Sequence, residues 1–305
     1  MDIIEKINRI NELKKEKNAV IMAHYYVDGE VQDVADYIGD SYYLSHAATR
    51  IDKDIIVLCG VKFMGESAKA LNPEKKILLP ASEAECPMAH MATVESIREV
   101  RGKYGDVAVV CYVNSTAELK SESDVCVTSA NALDIVRKLP NKNIFFIPDK
   151  NLATYISKEL PEKNFIFNNG CCYIHDRITI EDIVASKDAH PNARILVHPE
   201  CREAIADMAD YVGSTSGIIN YVKECSDSEF IIATEEGVLH ELKRVAPDKQ
   251  FYTVTKEQIC PGMKKVSLDN IIEVLEKEHS QIEMDDALIN GAKKPMEKML
   301  ELANN

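Results

Sequence analysis

The segment NAVIMAHYYVDGEVQDVADYIGDS, from Asn18 to Ser41, has the pattern of an apolar strand, a polar pair, an amphipathic helix and a second short strand. Two later segments have the same pattern: DVAVVCYVNSTAELKSESDVCVTSAN begins at Asp106, and NARILVHPECREAIADMADYVGSTSG begins at Asn192. In each copy, 17 residues separate the end of the first strand from a hydroxyl residue near the end of the second, from His24 to Ser41, Tyr112 to Ser129 and His198 to Thr215. Self-similarity at a fixed spacing predicts one structural unit repeated three times.

A second half follows in each copy, again with the pattern of a strand, a helix and a strand. These halves run from DIIVLCG to KKILLPASEAEC, from KNIFFIPD to KNFIFNNGCC, and from EFIIATEE to KQFYTVTKEQIC. Each final strand leads into a cysteine, and the offsets from Cys86 to Cys172 and from Cys172 to Cys260 are 86 and 88 residues. Cys172 therefore keeps the register of the repeat, whereas the adjacent Cys171 breaks it by one residue.

Helix start signals follow the same register. Thr93, Thr179 and Ser267 each lie 7 residues after the cysteine and precede an acidic residue by two positions, as expected for N-caps. The sequence predicts an α/β fold of three pseudo-threefold-related αβα units, each a short parallel sheet with right-handed crossovers. The predicted units span residues 1–88, 89–174 and 175–266. A C-terminal helical extension covers residues 267–305, and its helices, about 285–302, are expected to pack on the outside.

Composition limits the classes of function. The chain has 305 residues, 46% of them hydrophobic, and a formal net charge of -14. An acidic chain without a basic stripe is a poor partner for nucleic acid or for an anionic membrane. No run approaches the roughly 18 apolar residues that a membrane span needs, and nine cysteines without an export signal indicate reduced thiols. We therefore expect a cytoplasmic protein with neither a nucleic-acid nor a membrane partner.

Three of the nine cysteines form a candidate metal site. Cys59 and Cys111 lie inside apolar strands and are expected to fill the core, and Cys126, Cys201 and Cys225 receive no role. One cysteine from each unit remains, at Cys86, Cys172 and Cys260. A structural zinc would need four ligands, typically in C-x-x-C pairs, and the sequence has none. Three thiolates suit a [4Fe-4S] cluster with one open iron that acts as a Lewis acid, although three structural cysteines remain the alternative.

Polar residues follow the predicted strands on the opposite wall of the same cavity. In parallel sheets, ligands bind beyond the carboxyl ends of the strands, where loops and helix N-termini converge. Histidine and glutamate directly after a buried strand are not needed by a purely structural loop. The wall is predicted to carry His24, Tyr26, Ser41, Tyr112, Asn114, Ser129, His198, Glu200, Ser214 and Thr215. No arginine cluster is evident for binding anions; Lys69 is a candidate, with a solvated helix face as the alternative.

These residues resemble the quinolinate synthase family over nearly the whole chain. The matching motifs are AHYYVDGEVQDVADYIGDS, NPEKKILLP, CPMA, YVNSTAELK, VCVTSANAL, PDKNLA, HPECRE, DYVGSTSG and ATEEGVLHELK. The resemblance implies a triplicated αβα fold and a [4Fe-4S] cluster held by three cysteines. It also implies condensation of iminoaspartate with dihydroxyacetone phosphate to quinolinate, with loss of phosphate and two waters. The enzyme that supplies iminoaspartate is then a candidate partner.

The resemblance implies roles for individual residues. Cys86, Cys172 and Cys260 match the cluster ligands, and Tyr26, His175 and Glu200 match the catalytic residues. The residues that match those holding carboxylates and phosphate are His24, Ser41, Tyr112, Asn114, Ser129, His198, Ser214 and Thr215. Many members carry C-x-x-C-x-x-C near the third ligand, but CPGMKK here offers Cys260 alone. Cys171 is a spare thiol beside the second ligand.

Two other functions compete with this one. Diphthamide-type enzymes also use three domains and three cysteines, and their cluster cleaves S-adenosylmethionine. The polar wall around His24, Asn114 and Glu200 suits a small polyanion better than an adenosyl group. A non-enzymatic iron-sulfur sensor would need a DNA-binding or partner-binding surface, and the sequence shows neither a basic helix-turn-helix nor an added domain.

Overall fold

The computed structural model describes residues 1–304 and contains three four-stranded parallel sheets. In the first sheet the strand order is β2-β1-β3-β4, and every strand pairs in parallel with its neighbour. Its elements are α1 (Ile3–Glu16), β1 (Ala19–His24), α2 (Gly29–Val34), β2 (Tyr37–Gly39), α3 (Ser41–Ala48), β3 (Ile55–Cys59), α4 (Lys62–Leu71) and β4 (Lys76–Leu78).

The second sheet repeats this order as β6-β5-β7-β8. A 3₁₀ helix at Pro87–His90 precedes it. Its elements are α5 (Val94–Lys103), β5 (Val107–Tyr112), α6 (Ala117–Ser121), β6 (Val125–Val127), α7 (Ala132–Lys138), β7 (Asn143–Ile147), α8 (Lys150–Glu159) and β8 (Asn164–Phe167).

The third sheet has the order β10-β9-β11-β12, so all three sheets share one topology. Its elements are α9 (Tyr173–Asp176), α10 (Ile180–Ala189), β9 (Arg194–Val197), α11 (Glu203–Ala206), β10 (Tyr211–Val212), α12 (Thr215–Glu224), β11 (Glu229–Ala233), α13 (Val238–Val245) and β12 (Gln250–Thr253). A 3₁₀ helix at Met263–Lys265, α14 (Leu268–Lys277) and α15 (Asp286–Asn304) complete the described chain. The predicted fold class, three αβα units with short parallel sheets, is confirmed.

The central strands form the core because both of their faces are apolar. Every residue of β1, β3 and β5 is buried, which is typical of parallel strands covered by helices on both sides. Cys59 and Cys111 are fully buried within β3 and β5, as expected. Within residues 1–304, no helix combines the length and the apolar character that a membrane crossing requires.

The predicted helix starts are confirmed at three matched positions. Thr93, Thr179 and Ser267 are the N-caps of α5, α10 and α14, each within a reciprocal capping box. One other start differs from the simple repeat. The helix after Ser129 begins only at Ala132, because the side chain of Asn131 accepts a hydrogen bond from the backbone N–H of Thr128 and closes a turn there.

The C-terminal part of the chain packs against the first two units. Helix α14 lies on α1, where Lys6 and Asp269 form a 2.7 Å ion pair, and Gln281 forms an antiparallel bridge with Leu78 of β4. Helix α15 packs against α4 and α6, and its Ala292, Met296 and Met299 are fully buried. This helix therefore fills a groove between the first and second units. The residue boundaries given above for the units stay a prediction.

A buried lysine joins the first and second units. Lys120 in α6 is fully buried, and its Nζ donates to the carbonyl of Ser115 at 2.7 Å, the hydroxyl of Ser67 at 2.8 Å and the carbonyl of Phe63 at 3.3 Å. Burial lowers the pKa of this amine. This one side chain therefore hydrogen-bonds to three oxygen atoms, two from the first unit and one from the second.

We expect Lys120→Ala to lower the free energy of unfolding by about 2–4 kcal/mol, because it leaves a cavity and removes three buried hydrogen bonds. Urea denaturation followed by circular dichroism would measure the change. The matched control is Lys15→Ala on the exposed face of α1, which should change stability by less than about 0.5 kcal/mol. Equal stability of the two variants would contradict the role given to Lys120.

Candidate active site

The carboxyl ends of the central strands of all three sheets meet at one cavity of about 70 Å³. His24 ends β1, Tyr112 ends β5 and His198 directly follows β9, so each unit presents one of these rings at the same place. The sequence-predicted residues that line the cavity are Tyr26, His175, Glu200, His24, Ser41, Tyr112, Asn114, Ser129, His198, Thr215, Cys86, Cys172 and Cys260.

Ser214 is the one predicted site residue that is not part of the lining. It is the N-cap of α12, and its Oγ accepts a hydrogen bond from the N–H of Gly217 at 3.1 Å. The structure therefore places Ser214 behind the cavity, where it fixes the start of the helix that carries Thr215.

Two histidines occupy matched positions with the same local geometry. Nδ1 of His24 accepts the N–H of Tyr26 at 3.2 Å, and Nδ1 of His198 accepts the N–H of Glu200 at 3.3 Å. Burial lowers the pKa of His24 to about 4 and that of His198 to about 3. Both rings are therefore neutral at pH 7 and, with Nδ1 accepting, carry their proton on Nε2, where they can donate one hydrogen bond.

Glu200 and His175 form a buried pair. Oε2 of Glu200 lies 2.8 Å from Nδ1 of His175, and the two side chains are 5% and 2% exposed. The ring of His175 stacks on that of His198 at 4.7 Å. Burial acts to raise the pKa of Glu200, but the charge and the hydrogen bond of His175 outweigh it and lower that pKa to about 2. Glu200 is thus a carboxylate at neutral pH.

Thr234 connects two of the predicted catalytic residues. Its fully buried Oγ1 lies 2.8 Å from the hydroxyl of Tyr26 and 2.9 Å from Nε2 of His175. The Tyr26 hydroxyl also lies 2.8 Å from Oγ1 of Thr215. Sequence reasoning missed Thr234, since the strand-end positions that match it in the other units are Gly60 and Pro148, which carry no hydroxyl.

We expect Thr234→Val to lower kcat by about 10- to 100-fold, because Tyr26 and His175 each lose one hydrogen-bond partner and are no longer bridged. Steady-state kinetics on protein of equal metal content would measure the effect. Thr234→Ser keeps the hydroxyl and should stay within about threefold of the unmodified protein. A Thr234→Val protein with unchanged kcat would show that the bridge is not needed.

Two buried polar atoms at the cavity have no partner among the described residues. They are Oδ1 of Asn114 and Oγ1 of Thr128, and both residues line the cavity. Buried polar atoms are nearly always hydrogen-bonded, so an unpaired one beside a cavity indicates a missing polar ligand or water. Asn114 is among the residues predicted from the sequence, but Thr128 is not. The 17-residue spacing of the repeat points to the adjacent Ser129 instead.

The cationic groups near the site are already engaged. Lys69 is 9% exposed and donates to the carbonyls of Pro73 and Lys75, each at 2.9 Å, so the expectation that it lies on a solvated helix face or helps bind anions is wrong. Lys264 lies closer, but its Nζ donates to the carbonyl of Tyr26 at 3.0 Å and pairs with Glu235 at 3.3 Å. Neutral donors therefore dominate the polar wall.

The three cysteines fit a metal-sulfur group by their chemistry. Cys86, Cys172 and Cys260 are free thiols, and they lie beside the apolar side chains of Val61, Met88, Ile174 and Met263. Burial, followed by the neighbouring Cys260, raises the pKa of Cys86 to about 12, and burial, Glu200 and Cys86 together raise that of Cys172. Thiols that lie close together in an apolar wall keep their protons when no metal is bound. A bound metal displaces these protons and stabilises the thiolate form.

One of the three thiols, Cys172, also belongs to a second group of possible metal ligands. Ligand atoms of Cys172, His175 and Glu200 lie within 4.8 Å of one another, a spacing that suits a metal ion.

Cys171 is not part of this cavity. It lines a separate hollow with Lys150 and Arg202, so the structure separates the two adjacent thiols.

Comparison with known proteins identifies close relatives. A family model described as quinolinate synthetase A protein matches residues 8–301. The quinolinate synthase of Fusobacterium nucleatum is 51% identical over 298 residues, which cover 98% of this chain and 99% of the relative. Those of Caldicellulosiruptor bescii and Clostridioides difficile are 49% and 48% identical over 295 residues, covering 97% of this chain and 97% of each relative.

Proposed function

The chain belongs to the quinolinate synthase family of NAD-biosynthesis enzymes, and on this premise we propose that it condenses iminoaspartate with dihydroxyacetone phosphate to quinolinate, with loss of phosphate and two waters. The observation that carries the proposal is one cavity with two chemically different walls. Three thiols from three units form one wall, and neutral hydrogen-bond donors line the rest together with the acidic side chains of Asp40, Glu200 and Glu235. Such a cavity suits a small polar substrate held against a metal centre.

We propose Cys86, Cys172 and Cys260 as the ligands of a [4Fe-4S] cluster. Three cysteines leave one iron of a four-iron cluster without a protein ligand, and such an iron supplies Lewis-acid chemistry that eases loss of a hydroxyl group as water. The nine free cysteines support a reducing compartment, and we propose the cytoplasm. The enzyme that supplies iminoaspartate is the protein partner that we propose.

Proton transfer is assigned to the buried chain Glu200, His175, Thr234 and Tyr26. Consecutive polar atoms in this chain are 2.8, 2.9 and 2.8 Å apart, so each step is within hydrogen-bond reach. Condensation and two dehydrations each need a proton to be removed or delivered. Glu200 orients His175 through Nδ1, and Nε2 exchanges its proton with the Thr234 hydroxyl. Tyr26 then presents a proton donor at the cavity.

Substrate binding is assigned to the neutral donors of the polar wall. His24 and His198 donate through Nε2, and the unpaired atoms of Asn114 and Thr128 provide further contacts. The remaining members of the set are Ser41, Tyr112, Ser129 and Thr215. Ser41 and Thr215 are the first residues of α3 and α12, where unpaired backbone N–H groups favour carboxylate and phosphate. We propose that Ser214 acts indirectly, as the cap of α12.

An anaerobic assay tests the proposal. The protein would be reconstituted with iron and sulfide, then supplied with dihydroxyacetone phosphate and freshly generated iminoaspartate, and quinolinate would be followed by chromatography. Quinolinate should form only when the cluster and both substrates are present. Protein that carries about four irons per chain yet makes no quinolinate would refute the proposed reaction, and S-adenosylmethionine cleavage would then be tested.

A further inference from the structure

We infer that Asp149 and Glu235 are positioning residues that hold the loops of Cys172 and Cys260 ready for metal binding. The inference rests on the proposed thiol site and adds two buried carboxylates that the proposed reaction does not use. Both side chains are fully buried. Asp149 lies two residues after the end of β7 and Glu235 two residues after the end of β11, and these strands pair with β8 and β12, which lead into the two cysteine loops.

A backbone contact common to all three units sets the position of each cysteine loop. Lys62 N–H donates to the carbonyl of Ala84 at 2.9 Å, Lys150 N–H to that of Gly170 at 2.7 Å, and Glu236 N–H to that of Gln258 at 2.9 Å. Each acceptor lies two residues before the cysteine. The repeat therefore provides one clamp per loop, formed by main-chain atoms alone.

In the second and third units a carboxylate adds a second clamp at the cysteine itself. Oδ2 of Asp149 accepts the N–H of Cys172 at 3.1 Å, and its Oδ1 accepts the N–H of Leu152 at 2.7 Å. Oε1 of Glu235 accepts the N–H of Cys260 at 3.0 Å, and its Oε2 accepts the N–H of Gly237 at 2.7 Å. One carboxylate thus ties each ligand to the backbone that follows the neighbouring strand.

The geometry calls for a carboxylate rather than an amide. Both oxygens of each carboxylate accept a backbone N–H, so replacing one oxygen with an NH₂ group would place two donors face to face. The matched position in the first unit is Val61, whose side chain cannot accept a hydrogen bond. The acids therefore belong to the Cys172 and Cys260 loops and are not a general need of the repeat.

Groups that orient metal ligands usually change metal affinity by about 10- to 100-fold when they are removed. Asp149→Ser is the sharpest variant, because serine can still cap α8 through the N–H of Leu152 but is too short to reach Cys172 as well. Glu235→Gln makes the same test in the third unit. Thr179→Ala is the matched control, since it removes the cap of another ten-residue helix, α10, without touching a cysteine.

The first experiment follows iron release from the reconstituted protein to a chelator by the loss of visible absorbance. Asp149→Ser and Glu235→Gln should release iron about 10- to 100-fold faster than the unmodified protein. Thr179→Ala should release iron within about twofold of the rate of the unmodified protein. Asp149→Glu keeps both carboxylate oxygens, so its release rate should be much closer to that of the unmodified protein than the rate of Asp149→Ser. Equal release rates in all variants would overturn the inference.

The second experiment separates this inference from the proposed function. Amide hydrogen exchange is measured on the metal-free full chain, where the Cys172 N–H should exchange roughly 2- to 10-fold faster in Asp149→Ser. Unmodified protein that takes up no cluster would refute the proposed cofactor, and amide exchange would still decide whether the clamp exists. Unchanged exchange at Cys172 in Asp149→Ser would overturn the clamp, whatever the metal content of the protein.

Discussion

Replacing Cys86, Cys172 or Cys260 with serine, one at a time, is expected to abolish both cluster assembly and quinolinate formation. Each of the three thiols comes from a different unit, and among residues 1–304 the cavity lining holds no fourth thiol that could replace a missing one. A serine hydroxyl is a far weaker ligand for iron than a thiolate, which is the usual ligand of iron-sulfur clusters. Iron and sulfide analysis after anaerobic reconstitution measures assembly, and chromatography measures quinolinate.

Two cysteine variants serve as controls for this prediction. Cys59→Ala removes a thiol that is fully buried in β3, and Cys171→Ser removes the thiol directly beside Cys172 but outside the cavity. Both should keep about four irons per chain. Iron loss in Cys59→Ala equal to that in the ligand variants would sink the ligand assignment. The Cys171→Ser, Cys172→Ser double variant would show whether Cys171 replaces its neighbour in the Cys172→Ser protein.

Glu200→Gln is expected to keep the cluster and lower kcat by about 10²- to 10⁴-fold, the usual contribution of a proton-transferring group. Glutamine has the size of glutamate, and its carbonyl can still accept a hydrogen bond from His175. It lacks the negative charge that Glu200 keeps at neutral pH, because the pKa of this carboxyl is lowered to about 2. Steady-state kinetics together with iron content would separate loss of catalysis from loss of metal.

The matched control for Glu200→Gln is Glu203→Gln, three residues further along the chain. Glu203 lies in α11, where its carboxylate pairs with Lys158 at 2.7 Å and is half exposed to solvent. This substitution should leave kcat within about twofold, since exposed ion pairs contribute little. Full activity of Glu200→Gln would remove this carboxylate from the proposed mechanism.

The repeat in the sequence was enough to predict the fold class, because strand, helix and cysteine positions kept one register through three copies. The packing position of α15 is harder to predict from the sequence. Its apolar face predicts that the helix packs against something, but periodicity does not identify the groove between α4 and α6 that buries Met296. The start of α7 depends on one side-chain contact, from Asn131 to the backbone of Thr128, which a helix pattern does not reveal.

The cavity lining was predicted best where the repeat and the polar strand ends agreed, as at His24 and His198. Thr234 was missed because its equivalents, Gly60 and Pro148, break the register of hydroxyl residues. Asp149 and Glu235 carry a signal of their own in the sequence, since each is an acid two residues after the end of a buried strand. The matched position in the first unit is Val61, so a comparison that requires the same residue type in all three units does not find these acids.

During protein synthesis, the first two units leave the ribosome long before helix α15 does. Their shared apolar core includes Met296 and Met299, close to the C-terminus of the chain. A chain that lacks these residues would expose the apolar groove between α4 and α6, and exposed apolar surface of this kind favours aggregation and chaperone binding. The core shared by the first two units is therefore closed only after α15 has been made.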